Sequence, residues 1–354
     1  MLQKISELYN FSDKHLSFFR IIFALFFLLF NGMFSYDYFP ELPKEFLTFP
    51  SVATLYGRFP PISFFNAIDI LTFLCLFLVM IGLFTRIASI LIFVFIVVNH
   101  SFVFSIGGAS SMLIVPFFFL VMAFSWWNTH YSLDALLFGK KNSVNTVFIV
   151  IILLITLTFS FFISAYMKIK GGWLSIDSQA IFVYWNANYF IDNRISILNP
   201  DNLYISSKLF WELSDYLIVL IEMAPFLFCW NKKLLRISFL FLGGFQIMVY
   251  LFLNISFSIF PLMYCFFILE PERSALFKYA EAFFNRLFSQ KNSYTFAILI
   301  SLLFLIYVYF YFFGNRGGWN RDFPLMQLLG LWISFGLYVY LFVENLAKPR
   351  KISV

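Results

Sequence analysis

The chain has 354 residues, of which 62% are hydrophobic, 23% aromatic and only 12% charged, and its net charge is +6. Soluble domains carry about 25% charged residues, so a water-soluble globular protein is excluded and a bilayer must solvate much of the chain. The positive balance does not point to nucleic acid, because the basic residues gather in the loops between apolar runs, where positive-inside bias collects them.

Ten runs are apolar enough to read as spans, given that about 20 such residues cross a bilayer. They are 16–36, 64–84, 87–106, 110–127, 145–167, 212–230, 235–253, 255–270, 295–314 and 326–344. The predicted fold is an all-α polytopic membrane protein of about ten transmembrane helices, capped on its outer side by loops and an interfacial helix. The first run contains Arg20 and lacks a small-residue cleavage site, so it reads as a retained span and not a signal peptide. Arg20 sits near the inner end of that span, where it is either a snorkelling anchor or a buried functional group, and its depth disfavours pairing with Asp69. Segment 37–63 holds Pro40, Pro43, Pro50, Pro60 and Pro61 and reads as an irregular outer cap with short turns. "IGGAS" at 106–110 reads as a tight outer turn. Within 168–211, Trp173, Ile176, Ala180, Ile181 and Tyr184 recur at helical spacing, which predicts a helix lying on the outer interface. No internal repeat is evident.

Orientation follows from the basic residues. With the N-terminus inside, the inner segments hold 16 of the 24 Lys and Arg residues and the outer loops hold eight. Both termini therefore read as cytoplasmic, in a chain integral to the membrane and, if bacterial, to the inner membrane. Cys75, Cys229 and Cys265 lie in or beside apolar runs without a CxxC, which argues against a disulfide framework.

Ionisable groups inside spans are costly, so each is a functional candidate by default. A helix rises about 1.5 Å per residue, which places His100 roughly 20 Å from the inner end of its span. By the same reckoning Lys168 ends the fifth span on the outer side, Asp69 lies near the outer start of the second, and Glu222 and Gln246 fall near mid-depth. Lys168 is either an interfacial anchor, the commoner role of a lysine at a span end, or a base kept dry by the apolar "FSFFISAYM" before it. His100 is either a satisfied packing residue or part of a site at that depth. Glu222 either meets an amine or carries its own proton. The three histidines lie on separate segments with no metal-ligand spacing, so no metal site is expected.

Four stretches in order then carry a resemblance: "LSFFRIIFALFFLLF", "IGLFTRIASILIFVFIVVNHSFVFS", "WWNTHYSLDALL" and "AYMKIKGGW", with "GGFQIMVYLFLNISFSIF" as a fifth, weaker match. Their order and spacing resemble the vitamin K-dependent gamma-carboxylase family and its bacterial relatives, the horizontally transferred transmembrane (HTTM) domain proteins. The resemblance covers 12–272, leaving 273–294 as a cytoplasmic linker and 295–354 as a two-helix extension with a short cytoplasmic tail.

The resemblance implies an enzyme that couples oxidation of a reduced lipid quinone, a vitamin K hydroquinone or a menaquinol-like molecule, to carboxylation of glutamate in a secreted or membrane polypeptide. O2 and CO2 are co-substrates and no metal is implied. The catalytic lysine falls on Lys168 and its polar partner on His100. Asn99, Ser101, Trp173, Glu222 and Gln246 fall on substrate- or quinone-binding positions. Family members commonly have His where Gln246 stands, and Gln hydrogen-bonds but does not titrate. The large luminal domain of the animal enzyme has no counterpart here. The competing reading is a non-enzymatic accessory protein for maturation of, or immunity to, a secreted peptide toxin. A transporter ranks last, because neither inverted repeats nor broken helices are clear.

Overall fold

Backbone polar groups in hydrocarbon must be satisfied within their own segment, and apolar runs without strand periodicity meet that demand as helices. The computed structural model describes residues 11–31, 39–47, 51–105, 114–139, 147–176, 178–191, 195–203, 205, 207–255, 257–268, 274–287, 298, 301–302, 305 and 324–347, and among them there is no strand. Among the described residues, five helices are long and apolar enough to cross a membrane: Ile62–Ile81, Thr85–Ser105, Val147–Lys170, Lys232–Leu253 and Leu328–Ala347. Of the other runs read as spans, 295–314 lies almost wholly outside the described residues, as does the "IGGAS" turn.

The contacts divide the chain into two compact units: Asn10–Leu153 with Ala275–Phe323, and Leu154–Ser274 with Pro324–Val354 and Met1–Tyr9. The first unit opens with α1 (Asp13–Phe26), which Ser12 caps and a π-helical turn over Phe27–Asn31 extends. Three 3-10 turns, Phe39–Glu41, Lys44–Phe46 and Val52–Tyr56, form the proline-rich cap. They pack through Phe39 and Phe59 onto Phe65 and Phe102 of the two helices that follow, α2 (Ile62–Ile81) and α3 (Thr85–Ser105). Next come the short α4 (Ile114–Met122) and α5 (Leu133–Leu137). Phe23 of α1 packs at a tilt against Phe118 and Phe119 of α4, with ring centroids 4.4 and 5.4 Å away, so aromatic contacts tie α1 to α4.

In the second unit, α6 (Val147–Lys170) provides the first long helix, with its initial residues in the other unit. α7 (Ala180–Phe190), α8 (Lys208–Leu227), α9 (Lys232–Leu253), α10 (Ile259–Ile268) and the C-terminal helix Pro324–Ala347 complete it. α10 is buried along all ten of its residues. Its length is roughly 15 Å, half the hydrocarbon thickness of about 30 Å. Gly243 admits the Phe335 ring of the C-terminal helix, which a Cβ there would meet at 2.6 Å.

The two units repeat one order of elements, which the sequence reading did not find. Each runs from a helix through a non-membrane-length excursion of short elements into two helices joined by a tight turn, and then into a short helix. Matching positions recur: Asp69 and Asp215 are the eighth residues of α2 and α8, Asn99 and Gln246 the fifteenth of α3 and α9, and Pro116 and Pro261 the third of α4 and α10. Proline is tolerated in the first turn of a helix, where its missing N–H has no partner to lose, so it marks both starts. Elsewhere the two halves share too few residues for the repetition to register as sequence.

Of the two roles left open for Arg20, the structure supports the buried one. The side chain is wholly buried and its Nη2 donates to the Tyr131 carbonyl. The helix in this segment, 168–211, begins at Ala180, so Trp173 and Ile176 of the anticipated stripe precede it while Ala180, Ile181 and Tyr184 lie on it. Asp215 of α8 accepts from Ala180 N and Ile181 N at 2.7 and 2.9 Å, which starts the helix at that point. Within the segment 273–294, residues 275–287 form a helix whose Phe277 packs edge-on against Phe18 and whose Glu281 pairs with Lys14 at 2.6 Å.

Candidate functional site

The short stretch "KIKGGW" acquires a physical meaning at the end of α6. Gly172 adopts φ +80°, the left-handed conformation that glycine reaches without steric penalty. Gly172 N donates to Ile169 O at 3.1 Å and Trp173 N donates to Lys168 O at 3.1 Å. This pair of bonds is the Schellman ending, in which the second residue past the helix folds back over the last turn. The residue folded back is Trp173, and its ring centroid lies 5.4 Å from Lys168 Nζ, within cation–π range.

The opposite side of the ammonium faces α8. Lys168 Nζ donates to Glu222 Oε1 at 2.7 Å, to Glu222 Oε2 at 2.5 Å and to Ser164 Oγ at 2.8 Å. An ammonium has three N–H donors, so these partners occupy all of them. The Lys168 side chain is 20% exposed and that of Glu222 only 7%. Ser164 stands one helical turn before Lys168, on the same face of α6. Phe159 and Phe162 of α6 meet Phe226 of α8 at 5.5 and 4.9 Å and flank the polar cluster with rings.

Gln246 of α9 joins the same unit through α10, its Nε2 donating to Tyr264 Oη at 2.6 Å. Its Oε1 is buried and has no hydrogen-bond partner among the described residues. Tyr264 lies within electrostatic reach of Glu222, and Phe161 of α6 packs against it at 6.2 Å. Lys168, Trp173, Glu222 and Ser164 thus form one cluster in the second unit, and Gln246 with Tyr264 forms a second polar contact in that unit. Sequence reasoning missed Ser164 and Tyr264. Ser164 was accessible as the residue four before Lys168, whereas nothing local in the sequence marks Tyr264.

Asn99, His100 and Ser101 lie on α3 of the first unit, all buried. Asn99 Nδ2 donates to Asp69 Oδ1 of α2 at 2.9 Å, and Ser101 Oγ donates to its own helix at Val98 O. Consecutive helical residues point about 100° apart, which is why this triplet divides among different neighbours. Among the described residues, no group of three or more His, Cys, Asp or Glu side chains is placed to hold a metal ion.

No family model, no curated protein and no solved structure matches this chain.

Proposed function

We propose that this protein is an integral membrane enzyme that handles a proton of a lipid-soluble quinol at the Lys168–Glu222 pair, in the manner implied by its resemblance to gamma-carboxylases. The observation that carries the reading is the pair itself, a lysine and a glutamate bonded to each other across α6 and α8, with Lys168 also bonded to Ser164. A buried ion pair is seldom retained for stability alone, since an apolar substitute of similar volume often serves as well or better. The proton can shift along the Lys168 Nζ–Glu222 Oε2 bond, leaving a neutral amine beside a carboxylic acid, and that amine is the form a general base requires.

The donor set suits a quinol. Trp173 offers a flat face, the pair offers a proton acceptor and Ser164 offers a hydroxyl. The quinol with O2 supplies the strong base that carboxylation needs, and CO2 supplies the added carbon. Lys168 and Glu222 take up and hold the hydroxyl proton, Trp173 and the phenylalanines exclude water, and Gln246 with Tyr264 orients the polar edge without titrating. The expected role of Asn99, His100 and Ser101 is not part of this reading, because they belong to the first unit and the Lys168–Glu222 pair to the second. The reading includes ten membrane crossings, both termini in the cytoplasm of a bacterial cell, and a secreted or membrane polypeptide as the carboxylated substrate.

The test uses purified protein with reduced menaquinone, O2 and bicarbonate, and measures quinone epoxide. Wild type makes it, while Lys168→Ala and Glu222→Gln, each confirmed monodisperse, do not. If wild type is inert and a secreted peptide co-purifies in stoichiometric amount, the accessory reading replaces the enzymatic one.

A further inference from the structure

The first unit contains a cavity of about 300 Å³ that touches none of the residues considered so far as a quinol site. Its walls come from the turn into α3, through Phe84, Thr85 and Arg86, and from the segment after α4, through Trp126, Trp127, Asn128, Asp134 and Phe138. It is built at some cost in backbone freedom. Phe84 and Trp126 adopt φ +47° and +54°, a region that bulky side chains rarely occupy and that persists where the surrounding structure enforces it.

Asp134 is the enforcing group. Its carboxylate accepts from Phe84 N at 2.8 Å, Thr85 N at 3.2 Å, Thr85 Oγ1 at 3.2 Å and Asn128 Nδ2 at 2.8 Å. Those four bonds make Asp134 part of the wall, which ties the α3 N-terminus to the loop after α4. Arg86 stands at the cavity over the Phe124 ring, 5.1 Å from its centroid, and forms no ion pair among the described residues. Around it Phe84 is 53% exposed, Phe138 65% and Phe124 48%. Thr85 begins a helix long and apolar enough to cross a membrane, so the exposed Arg86 and its aromatic rim stand at the end of that helix, where a bilayer would pass from hydrocarbon to headgroups.

We propose that this cavity binds an anionic phospholipid of the adjoining leaflet. Its phosphate would be held by Arg86 and its upper acyl chain would lie over Phe84, Phe124 and Phe138. A basic pocket at the end of a spanning helix, rimmed by exposed rings, matches the two-part chemistry of such a lipid. A free anion would leave the aromatic rim unused, and a purely apolar ligand would leave Arg86 uncompensated.

The test compares phosphatidylglycerol, phosphatidylcholine and inorganic phosphate on the detergent-purified full chain, read by native mass spectrometry and by thermal unfolding. Phosphatidylglycerol is retained and raises the unfolding temperature, phosphatidylcholine does so weakly, and phosphate alone does not. Arg86→Gln weakens phosphatidylglycerol binding about fivefold, as loss of one interfacial cation should, and Arg86→Lys keeps most of it. A photoactivatable phosphatidylglycerol on wild type cross-links to the peptides holding Phe84 or Phe138. Equal binding of the two lipids, full protection by phosphate alone, an unaffected Arg86→Gln or cross-links confined elsewhere would each overturn the proposal.

Discussion

Lys168 and Glu222 stand 54 residues apart in the chain, yet the lysine amine bonds both oxygens of the carboxylate, at 2.7 and 2.5 Å. Removing one member leaves the other buried without its counter-charge, the circumstance in which a single substitution is most damaging. Lys168→Met or Glu222→Leu alone is expected to lower stability by about 3 kcal/mol, and the double substitution to recover most of the loss. The exposed Lys14–Glu281 pair, with side chains 49% and 26% accessible, is the contrast. Lys14→Ala should change stability by no more than about 0.5 kcal/mol. Thermal unfolding in one detergent checks all four, and equal effects of Lys168→Met and Lys14→Ala would show that the inner pair is solvated like the outer one.

Gly172 is held responsible for placing Trp173 over Lys168. A Cβ on Gly172 meets nothing within 4 Å, so its only penalty is the left-handed backbone. Gly172→Ala is expected to destabilise by about 1 kcal/mol and to loosen the tryptophan from the amine. Gly171→Ala, whose backbone is not left-handed and whose Cβ would lie 3.3 Å from Met167 O, should be milder. Amide hydrogen exchange across residues 167–175 separates the two. Faster exchange at Gly171→Ala than at Gly172→Ala would remove the Schellman account of the motif.

How much of this was readable beforehand depends on the range of the physics involved. Runs 64–84 and 87–106 lie within a few residues of α2 and α3, because hydrophobic content alone sets a span and needs no partner. Run 110–127 extends past the end of α4 at Met122 and run 255–270 begins before α10 at Ile259, since an apolar run does not reveal where within it the helix starts or stops. The candidacy of Lys168 and Glu222 was legible from the cost of charge in lipid, but their pairing was not, because a long-range contact leaves no local trace. Arg20 shows the same limit. Its burial depends on the Tyr131 carbonyl, 111 residues away.

The cap on α7 comes from outside that helix. Asp215 uses both oxygens on Ala180 N and Ile181 N and also receives Ser178 Oγ at 3.4 Å. Asparagine keeps one of those acceptors and replaces the other with a donor, facing N–H groups it cannot serve. Asp215→Asn should therefore destabilise by about 1 kcal/mol, concentrated in faster hydrogen exchange over residues 178–191. A uniform change across the chain would mean that Asp215 supports the whole unit and not this helix start.

Gly82 is the position where the fold leaves least room. It ends α2 at φ +76°, with Gly82 N donating to Leu78 O and Val79 O and Leu83 N to Leu78 O. A Cβ there would lie 2.7 Å from Ser132 Cα and collide with Ser132 Cβ and with Nη1 of the buried Arg20. Backbone strain and overpacking then act together, and Gly82→Ala is expected to lose about 3 kcal/mol or fail to fold. Gly57 supplies the comparison, because it has φ +67° but nothing within 4 Å of its would-be Cβ. Gly57→Ala should lose only about 1 kcal/mol, from the backbone alone. Expression level and unfolding temperature of the two variants measure the difference. If they fall equally, the close approach of Arg20 and Ser132 to the α2 turn contributes nothing, and the burial of Arg20 must rest on its bond to Tyr131 alone.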